Sequence, residues 1–316
     1  MLLGELIKNI KPAYKSIKFN NIRFNSKDCK TNDIFFSIQG NKLKGNNYIK
    51  DAIKNGSKII ISNLNFEGFN KEKILFIKNK NPRKALADAA SNFYKKKPKN
   101  IIALTGTNGK TSISNFFYQI LSLSKKKVAA IGTLGVLSKK IKLKTNNTTI
   151  DPIKMHQILQ KLKNLNIDNV IIEASSHGLK QHRLDGINLK TALFTNLSRD
   201  HLDYHKTFKD YLNSKLILFN KLLLNKGNII FENGISQEKE LKKISKKNKL
   251  KIHKIGSENS FINLKKIQKI NDKKRIYFSL LKKDYSFNSY LIGSIQIKNL
   301  LFAVSAAYLS GIKIDT

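Results

Sequence analysis

The residues best suited to chemistry form one short run, Thr105-Gly106-Thr107-Asn108-Gly109-Lys110-Thr111. It follows an apolar stretch, Ile101-Ile102-Ala103-Leu104, that reads as a buried strand, and it leads directly into a helical pattern beginning at Lys110. Free amides at a helix N-terminus point outward, and the helix dipole favours negative charge there. Gly106 and Gly109 let the backbone curl close to an anion. Lys110 can reach the β- and γ-phosphates of a nucleotide, and the Thr111 hydroxyl can hold Mg²⁺. The usual phosphate-loop spacing is not met, because Leu104 stands where its first glycine would be. The competing reading is a plain turn with a solvated lysine, and the strand before and helix after argue against it.

Two further stretches carry reactive side chains, Glu173 to Gly186 (EASSHGLKQHRLDG) and Thr195 to His205 (TNLSRDHLDYH). Each follows an expected strand, at the carboxyl edge where open α/β sheets bind ligands. Four of the six histidines lie between 177 and 205. Glu173 ends a buried strand, where a carboxylate is costly without a cation, and Mg²⁺ is a natural partner. His201 and His205 are four apart and could share a helix face, as zinc ligands do; the alternative for that pair is capping or packing.

The elements that must place these residues fall into two regions. Residues 1–81 read as a small mixed α/β unit, with strands in 33–40, 57–63 and 74–79 and a short helix over 48–56. A helix starts near Pro82, and the domain boundary is placed there. Beyond it, strands in 100–106, 127–133, 169–176, 191–198 and 227–233 alternate with helices over 110–126, 151–166 and 207–225. Continuous apolar strands between helices imply a mostly parallel sheet covered on both faces. Residues 262–292 look like antiparallel strands, and 299–312 like a final helix.

No run of about 18 apolar residues occurs, so no membrane span is expected, and the N-terminus shows no signal-peptide pattern. The single cysteine, Cys29, has no internal disulfide partner; together these point to the cytoplasm. The net charge of +39 invites a nucleic-acid reading, but only five of the 60 basic residues are arginine, leaving 55 lysines scattered over the chain. Base readout and phosphate forks favour arginine, so no specific nucleic-acid partner is expected.

Taken together, TGTNGKTS, NTT (147–149), EASSHGLKQHR and TNLSRDHLDYH closely resemble the MurE-type Mur ligases, the peptidoglycan tripeptide synthetases, from about residue 22 onward. The resemblance implies a small N-terminal α/β domain that binds a uridine-diphosphate substrate (1–81) and a P-loop-type central ATP-binding domain (82–316). It implies an ATP- and Mg²⁺-dependent ligase of cell-wall synthesis, serving cell shape and the division cycle. Such an enzyme forms an acyl phosphate on the D-glutamate of UDP-N-acetylmuramoyl-L-alanyl-D-glutamate. A diamino acid, meso-diaminopimelate before L-lysine, then attacks it. The alternatives are a folylpolyglutamate-synthetase-like ligase and a basic nucleic-acid binder.

Residue by residue, the resemblance assigns ATP to Thr105, Gly106, Thr107, Asn108, Gly109, Lys110, Thr111, Ser112 and Asn299. It assigns catalysis to Lys110, His201 and Lys215, and metal to Thr111, Glu173, His201 and Lys215, the last as a carbamate. Substrate contacts fall on Phe24, Ser26, Asn41, Lys42, Leu43, Asn147, Thr148, Thr149, Ser175, Gln181 and Arg183. The chain departs from the family where Asn25-Ser26-Lys27 replaces Asp-Ser-Arg and where Gln296 replaces an asparagine. The family's third, Rossmann-like domain is expected to be absent, since the chain stops where the second would hand over to it. A monomer that binds substrates without completing the ligation is therefore expected.

Overall fold

The computed structural model describes residues 1–40, 44–256 and 259–314. It divides into two compact units. The first holds Met1–Lys97 together with two later segments, Asp151–Lys161 and Gln181–Ile187; the second holds the rest.

In the first unit, α1 (Leu3–Leu6) precedes β1 (Ile22–Arg23), β2 (Ile34–Phe36), α2 (Ile49–Lys54), β3 (Ile59–Ser62), β4 (Gly68–Phe69), β5 (Leu75–Lys78) and α3 (Pro82–Phe93). The strands form a sheet in the order β1-β2-β3-β5-β4, parallel except for β4. Its inner strands β2 and β3 are apolar at consecutive positions, Ile34–Phe36 and Ile59–Ile61, because both faces are covered. Ile34, Phe36, Ile59, Ile61 and Leu75 point to one core with Leu86, Ala89 and Ala90 of α3. Phe35, Ile60 and Phe76 point to the other, with Ala52 of α2. The Asn81 side chain caps α3 by accepting from the Lys84 amide at 3.0 Å, with Pro82 in the first turn. The expected boundary near residue 82 thus falls inside this unit. Leu86, Ala89 and Ala90 belong to its core, and the unit runs on to Lys97.

The second unit begins with β6 (Asn100–Thr105), α4 (Lys110–Leu123), β7 (Val128–Gly132), β8 (Gly135–Ser138) and β9 (Lys142–Leu143). After α5 (Pro152–Asn164), most of which belongs to the first unit, come β10 (Asn169–Glu173), α6 (Ser176–Lys180), β11 (Leu189–Phe194), α7 (Leu202–His205) and α8 (Phe208–Ile217). Then follow β12 (Leu223–Glu232), α9 (Glu238–Asn248), β13 (Lys251–Gly256), β14 (Ile262–Ile270), β15 (Lys273–Leu280), β16 (Lys283–Ser289) and α10 (Ser294–Leu309).

Among the described residues the sheet runs β16-β15-β14-β13-β12-β11-β6-β10-β7-β8-β9. The strands from β14 to β7 are mutually parallel, and antiparallel pairs finish both edges. Strand β6 lies between β11 and β10, so Thr105, Phe194 and Glu173 end side by side. Helix α4 buries Ile113, Phe117 and Leu121, one per turn, against Ile102, Leu104 and Ile171, and α10 adds Leu301, Phe302 and Ala306 to the same core.

One expected element breaks. The helix expected over 207–225 is α8 to Ile217, a single π-helical turn at Leu218–Leu222, and then β12. Leu218, Leu222 and Leu223 are all buried, and an apolar run buried on every side suits strand as well as helix. The pairing of β11 with β12 slips between Leu189 and Thr191 to absorb the early start.

Candidate functional site

The turn after β6 is shaped by contacts that leave no room for side chains. A Cβ at Gly106 would lie 1.9 Å from Thr195 Oγ1. Gly109 has φ 86°, in the left-handed region, and a Cβ there would lie 2.7 Å from Asn299 Oδ1. The segment after β11 clamps the same turn. The Asn108 amide donates to Asn196 Oδ1 at 2.9 Å, the Thr107 amide to the Asn196 carbonyl at 3.1 Å, and Thr195 Oγ1 to the Asn108 carbonyl at 2.8 Å. The Lys110 ammonium folds back onto the Gly106 and Thr107 carbonyls at 2.7 and 2.8 Å. Burial holds its pKa below the usual lysine value, opposed by the charges of Glu173 and Asp200. Ser112 sits in the first turn of α4, whose leading amides have no partner within the helix.

Glu173, at the end of β10, is 1% exposed. Its carboxylate accepts from Thr111 Oγ1 at 3.0 Å, Ser114 Oγ at 3.2 Å, the Thr133 amide at 3.2 Å and Thr133 Oγ1 at 3.0 Å. Gly132 makes this possible, since a Cβ there would lie 2.1 Å from Glu173 Oε1. Sequence reasoning placed Thr111 and Glu173 and missed Ser114, Gly132 and Thr133. These oxygens are hard donors of the kind Mg²⁺ takes, so the residues fit that ion.

In the sequence Lys215 looks like one more surface lysine, but α8 buries it to 1% exposure. Its Nζ donates to the Gly106 carbonyl at 2.8 Å and lies 4.4 Å from the centroid of the Tyr211 ring. Its pKa falls to about 7, chiefly through burial, with a further push from Lys110 and opposition from Asp200. Tyr211, also missed, is fully buried and its hydroxyl lies 3.2 Å from Thr107 Oγ1.

The histidines do not line one helix face. His201 precedes α7 with φ 53°, and its Nε2 lies 3.5 Å from Asp200 Oδ2. His205 is fully buried between Ser176 Oγ at 2.9 Å and Ser214 Oγ at 3.3 Å. Burial lowers its pKa despite the nearby Asp210. Both rings flank His177, with centroids 4.9 and 5.4 Å from its own. Among the described residues no three His, Cys, Asp or Glu side chains are grouped to hold a metal. The packing alternative therefore fits His205 better than a zinc pair does.

The substrate candidates divide between the units. In the second, Asn147 is exposed, Thr148 Oγ1 lies 3.0 Å from Thr133 Oγ1, and Thr149 Oγ1 donates to the Glu173 carbonyl at 2.8 Å. Thr149 also accepts from the Ser175 amide at 2.9 Å, and so ties the end of β10. In the first, Phe24 is exposed and Ser26 buried, beneath a turn capped by Asn25 Oδ1 on the Lys27 amide at 3.2 Å. Arg183 and Gln181 bond to each other through Nη2 and Oε1 at 2.8 Å. Asn41, Lys42 and Leu43 lie outside the described residues.

A parallel sheet whose inner strand passes through a short glycine turn into a helix belongs to the P-loop class of α/β domains. The chain belongs to the Mur ligase family: the family's middle domain matches residues 104–307 and the Mur ligase family catalytic domain matches 18–94. It is 36% identical over 311 residues to the UDP-N-acetylmuramoyl-L-alanyl-D-glutamate–2,6-diaminopimelate ligase of Rickettsia montanensis, covering 97% of this chain and 64% of that protein. A solved structure of a ligase with the same name superposes with a TM-score of 0.87 at 24% identity, over 99% of this chain and 64% of that one. The MurF ligase of Thermotoga maritima in complex with ADP gives a TM-score of 0.65 at 17% identity, over 94% and 64%. The last two likenesses speak to the fold. The chain spans about two-thirds of the length of these relatives, just under it in each case.

Proposed function

We propose that this chain forms the nucleotide- and acid-binding part of an ATP-dependent ligase that joins a diamino acid, meso-2,6-diaminopimelate before L-lysine, to UDP-N-acetylmuramoyl-L-alanyl-D-glutamate. The observation that carries the reading is the meeting of Thr111 and Glu173 at 3.0 Å beside a glycine turn that also gathers Lys110 and Lys215. The names of the relatives supply the substrates. The match over residues 18–94 supports this reading over a folate-type ligase, for which a sugar-nucleotide unit has no use.

In the first step a γ-carboxylate oxygen of the D-glutamate attacks the γ-phosphorus of ATP, the bond to the β-phosphate oxygen breaks, and ADP leaves. The diamino acid's nitrogen then attacks the acyl carbon, phosphate departs with the carbon–oxygen bond, and the nitrogen loses a proton. Two anions must meet, so fixed positive charge does most of the work. Lys110 turns from its own loop carbonyls to the phosphate oxygens. The turn from Thr105 to Gly109 wraps the phosphates, and the unpartnered amides of the first turn of α4, Lys110 to Ser112, donate to them, with Asn299 against Gly109. Bound Mg²⁺ supplies charge neutralisation between the anions; Thr111, Glu173, a carbamylated Lys215 and, for a second ion, His201 would hold it.

Carbamylation needs a neutral amine to attack CO₂, and a Lys215 pKa of about 7 leaves such a fraction at neutral pH. Asn147, Thr148, Thr149 and Ser175 in the second unit, and Phe24, Ser26, Asn41, Lys42, Leu43, Gln181 and Arg183 elsewhere, contact the sugar-nucleotide acid. The protein acts as a cytoplasmic monomer with no specific nucleic-acid partner.

Isothermal calorimetry on the 316-residue chain tests the reading. A non-hydrolysable ATP analogue with Mg²⁺, and separately UDP-N-acetylmuramoyl-L-alanyl-D-glutamate, should both bind. Absence of binding by either ligand overturns it.

A further inference from the structure

Thr133 holds Glu173 twice. Its amide donates to Oε1 at 3.2 Å and its hydroxyl to Oε2 at 3.0 Å, so both carboxylate oxygens are fixed by one residue. The neighbouring Gly132 admits the carboxylate where any side chain would exclude it. The Thr133 hydroxyl has a second partner, Thr148 Oγ1 at 3.0 Å. A hydroxyl has one proton to give, and a carboxylate accepts only. The Thr133 proton therefore goes to Glu173, and the Thr148 proton goes to Thr133. The relay runs one way, from Thr148 through Thr133 to Glu173. It leaves Thr148 Oγ1 with lone pairs and no proton for a ligand.

We infer that Thr133 is a positioning residue that sets the plane of the Glu173 carboxylate and makes Thr148 an acceptor, so that Thr148 meets an N–H or O–H of the acid-bearing substrate and not its carboxylate. The inference rests on the proposed function, which supplies the metal at Glu173 and the substrate at Thr148. Groups that orient a metal's ligand usually matter to its affinity, and Thr133 is placed to orient this one through both oxygens. Ser114 reaches Oε1 alone, and its one proton is shared with the Thr111 carbonyl at 3.1 Å.

The test compares Thr133→Val, which keeps the shape and the amide but not the hydroxyl, with Thr133→Ser, which restores the hydroxyl. Calorimetry with a non-hydrolysable ATP analogue, with and without Mg²⁺, separates the metal-dependent part of affinity from the rest. Thr133→Val should reduce the gain conferred by Mg²⁺ by about tenfold, as second partners of metal ligands do, while Mg²⁺-free binding changes less than about twofold. Thr133→Ser should recover most of the gain. A Thr133→Val protein with the wild-type Mg²⁺ gain, or a Thr133→Ser protein no better than Thr133→Val, overturns the inference. The acceptor role is read separately by hydrogen-bond NMR of the bound sugar-nucleotide acid. An N–H or O–H proton of the ligand should be protected in wild type and exchange faster in Thr148→Val; equal exchange overturns that part. If the wild-type chain binds no nucleotide at all, the proposed function itself has failed, a result distinct from either.

Discussion

Asp33 in the first unit and Glu173 in the second are both shut off from water, at 0% and 1% exposure, and they are held in different ways. Asp33 has a guanidinium of its own: Arg23 Nε donates to Oδ2 at 3.0 Å, joined by the Lys30 amide at 3.1 Å. The four hydrogen bonds of Glu173 come from three hydroxyls and an amide, none of which carries charge. A buried charge is costly unless it is neutralised. The fold neutralises Asp33 with its own chain, whereas the hydrogen bonds of Glu173 bring it no charge, and the Lys110 ammonium acts on it without a direct bond. The first pattern is that of scaffolding, and the second is what the metal site proposed above requires.

The comparison breaks most visibly at Glu173. Glu173→Gln should lower Mg²⁺-dependent nucleotide affinity by roughly 100-fold, the upper end for partners of a metal site. The melting temperature without ligand should hold or rise, because a buried charge has gone. Differential scanning calorimetry beside binding calorimetry reads both, and a large drop in melting temperature would make Glu173 a structural residue like Asp33. Asp33→Asn should do the reverse. Urea unfolding should show a loss of about 2 kcal/mol, less than for a fully buried pair because Arg23 is 31% exposed, with nucleotide affinity unchanged.

His156 extends the comparison to a group kept neutral. It is fully buried, its Nε2 lies 3.0 Å from the Asp185 carbonyl, and its Nδ1 has no partner. Burial, helped by the charge of Lys97, lowers its pKa to about 3. The unfolded chain, with an ordinary histidine value near 6.5, binds the proton first as pH falls. Stability should therefore fall through the window from about 6.5 towards 3, by at most about 1.4 kcal/mol per pH unit from this group, and flatten below. Urea midpoints at pH 7 and pH 5 measure the slope, which His156→Leu should reduce. The smallest effect belongs to Asp88, half exposed and paired with Lys84 at 2.6 Å one helical turn away. Asp88→Ala should change stability by less than about 0.5 kcal/mol and vanish in high salt.

Much of this was legible in the sequence because it is local. The glycine turn, the strand before it and the helix after it are consecutive, and Glu173 stands at the end of an apolar run. The donors around Glu173 were not legible, because Ser114 and Thr133 lie 59 and 40 residues from it. Nothing near Thr133 marks it as a partner of a distant strand end. Lys215 illustrates the same limit. Among 55 lysines only the resemblance singled it out, and its burial appears only once α8 is packed. Strand β13 and helix α9 escaped notice because their lysines blur the apolar spacing. The leucine run that ends α8 failed for the opposite reason, having no polar face to give it a period.

The contact of Asn299 with Gly109 bears on how the protein comes into being. Those residues are 190 positions apart, yet the turn has its final wall only when α10 lies against α4. A nascent chain on the ribosome carries the glycine turn long before its closing residue leaves the exit tunnel. Competence to hold a nucleotide should therefore arrive in one late event, after the non-local strand pairings that make such sheets slow to form. A ligand that binds only then would act as a latch on the finished unit, and its presence during refolding should raise the yield of native protein.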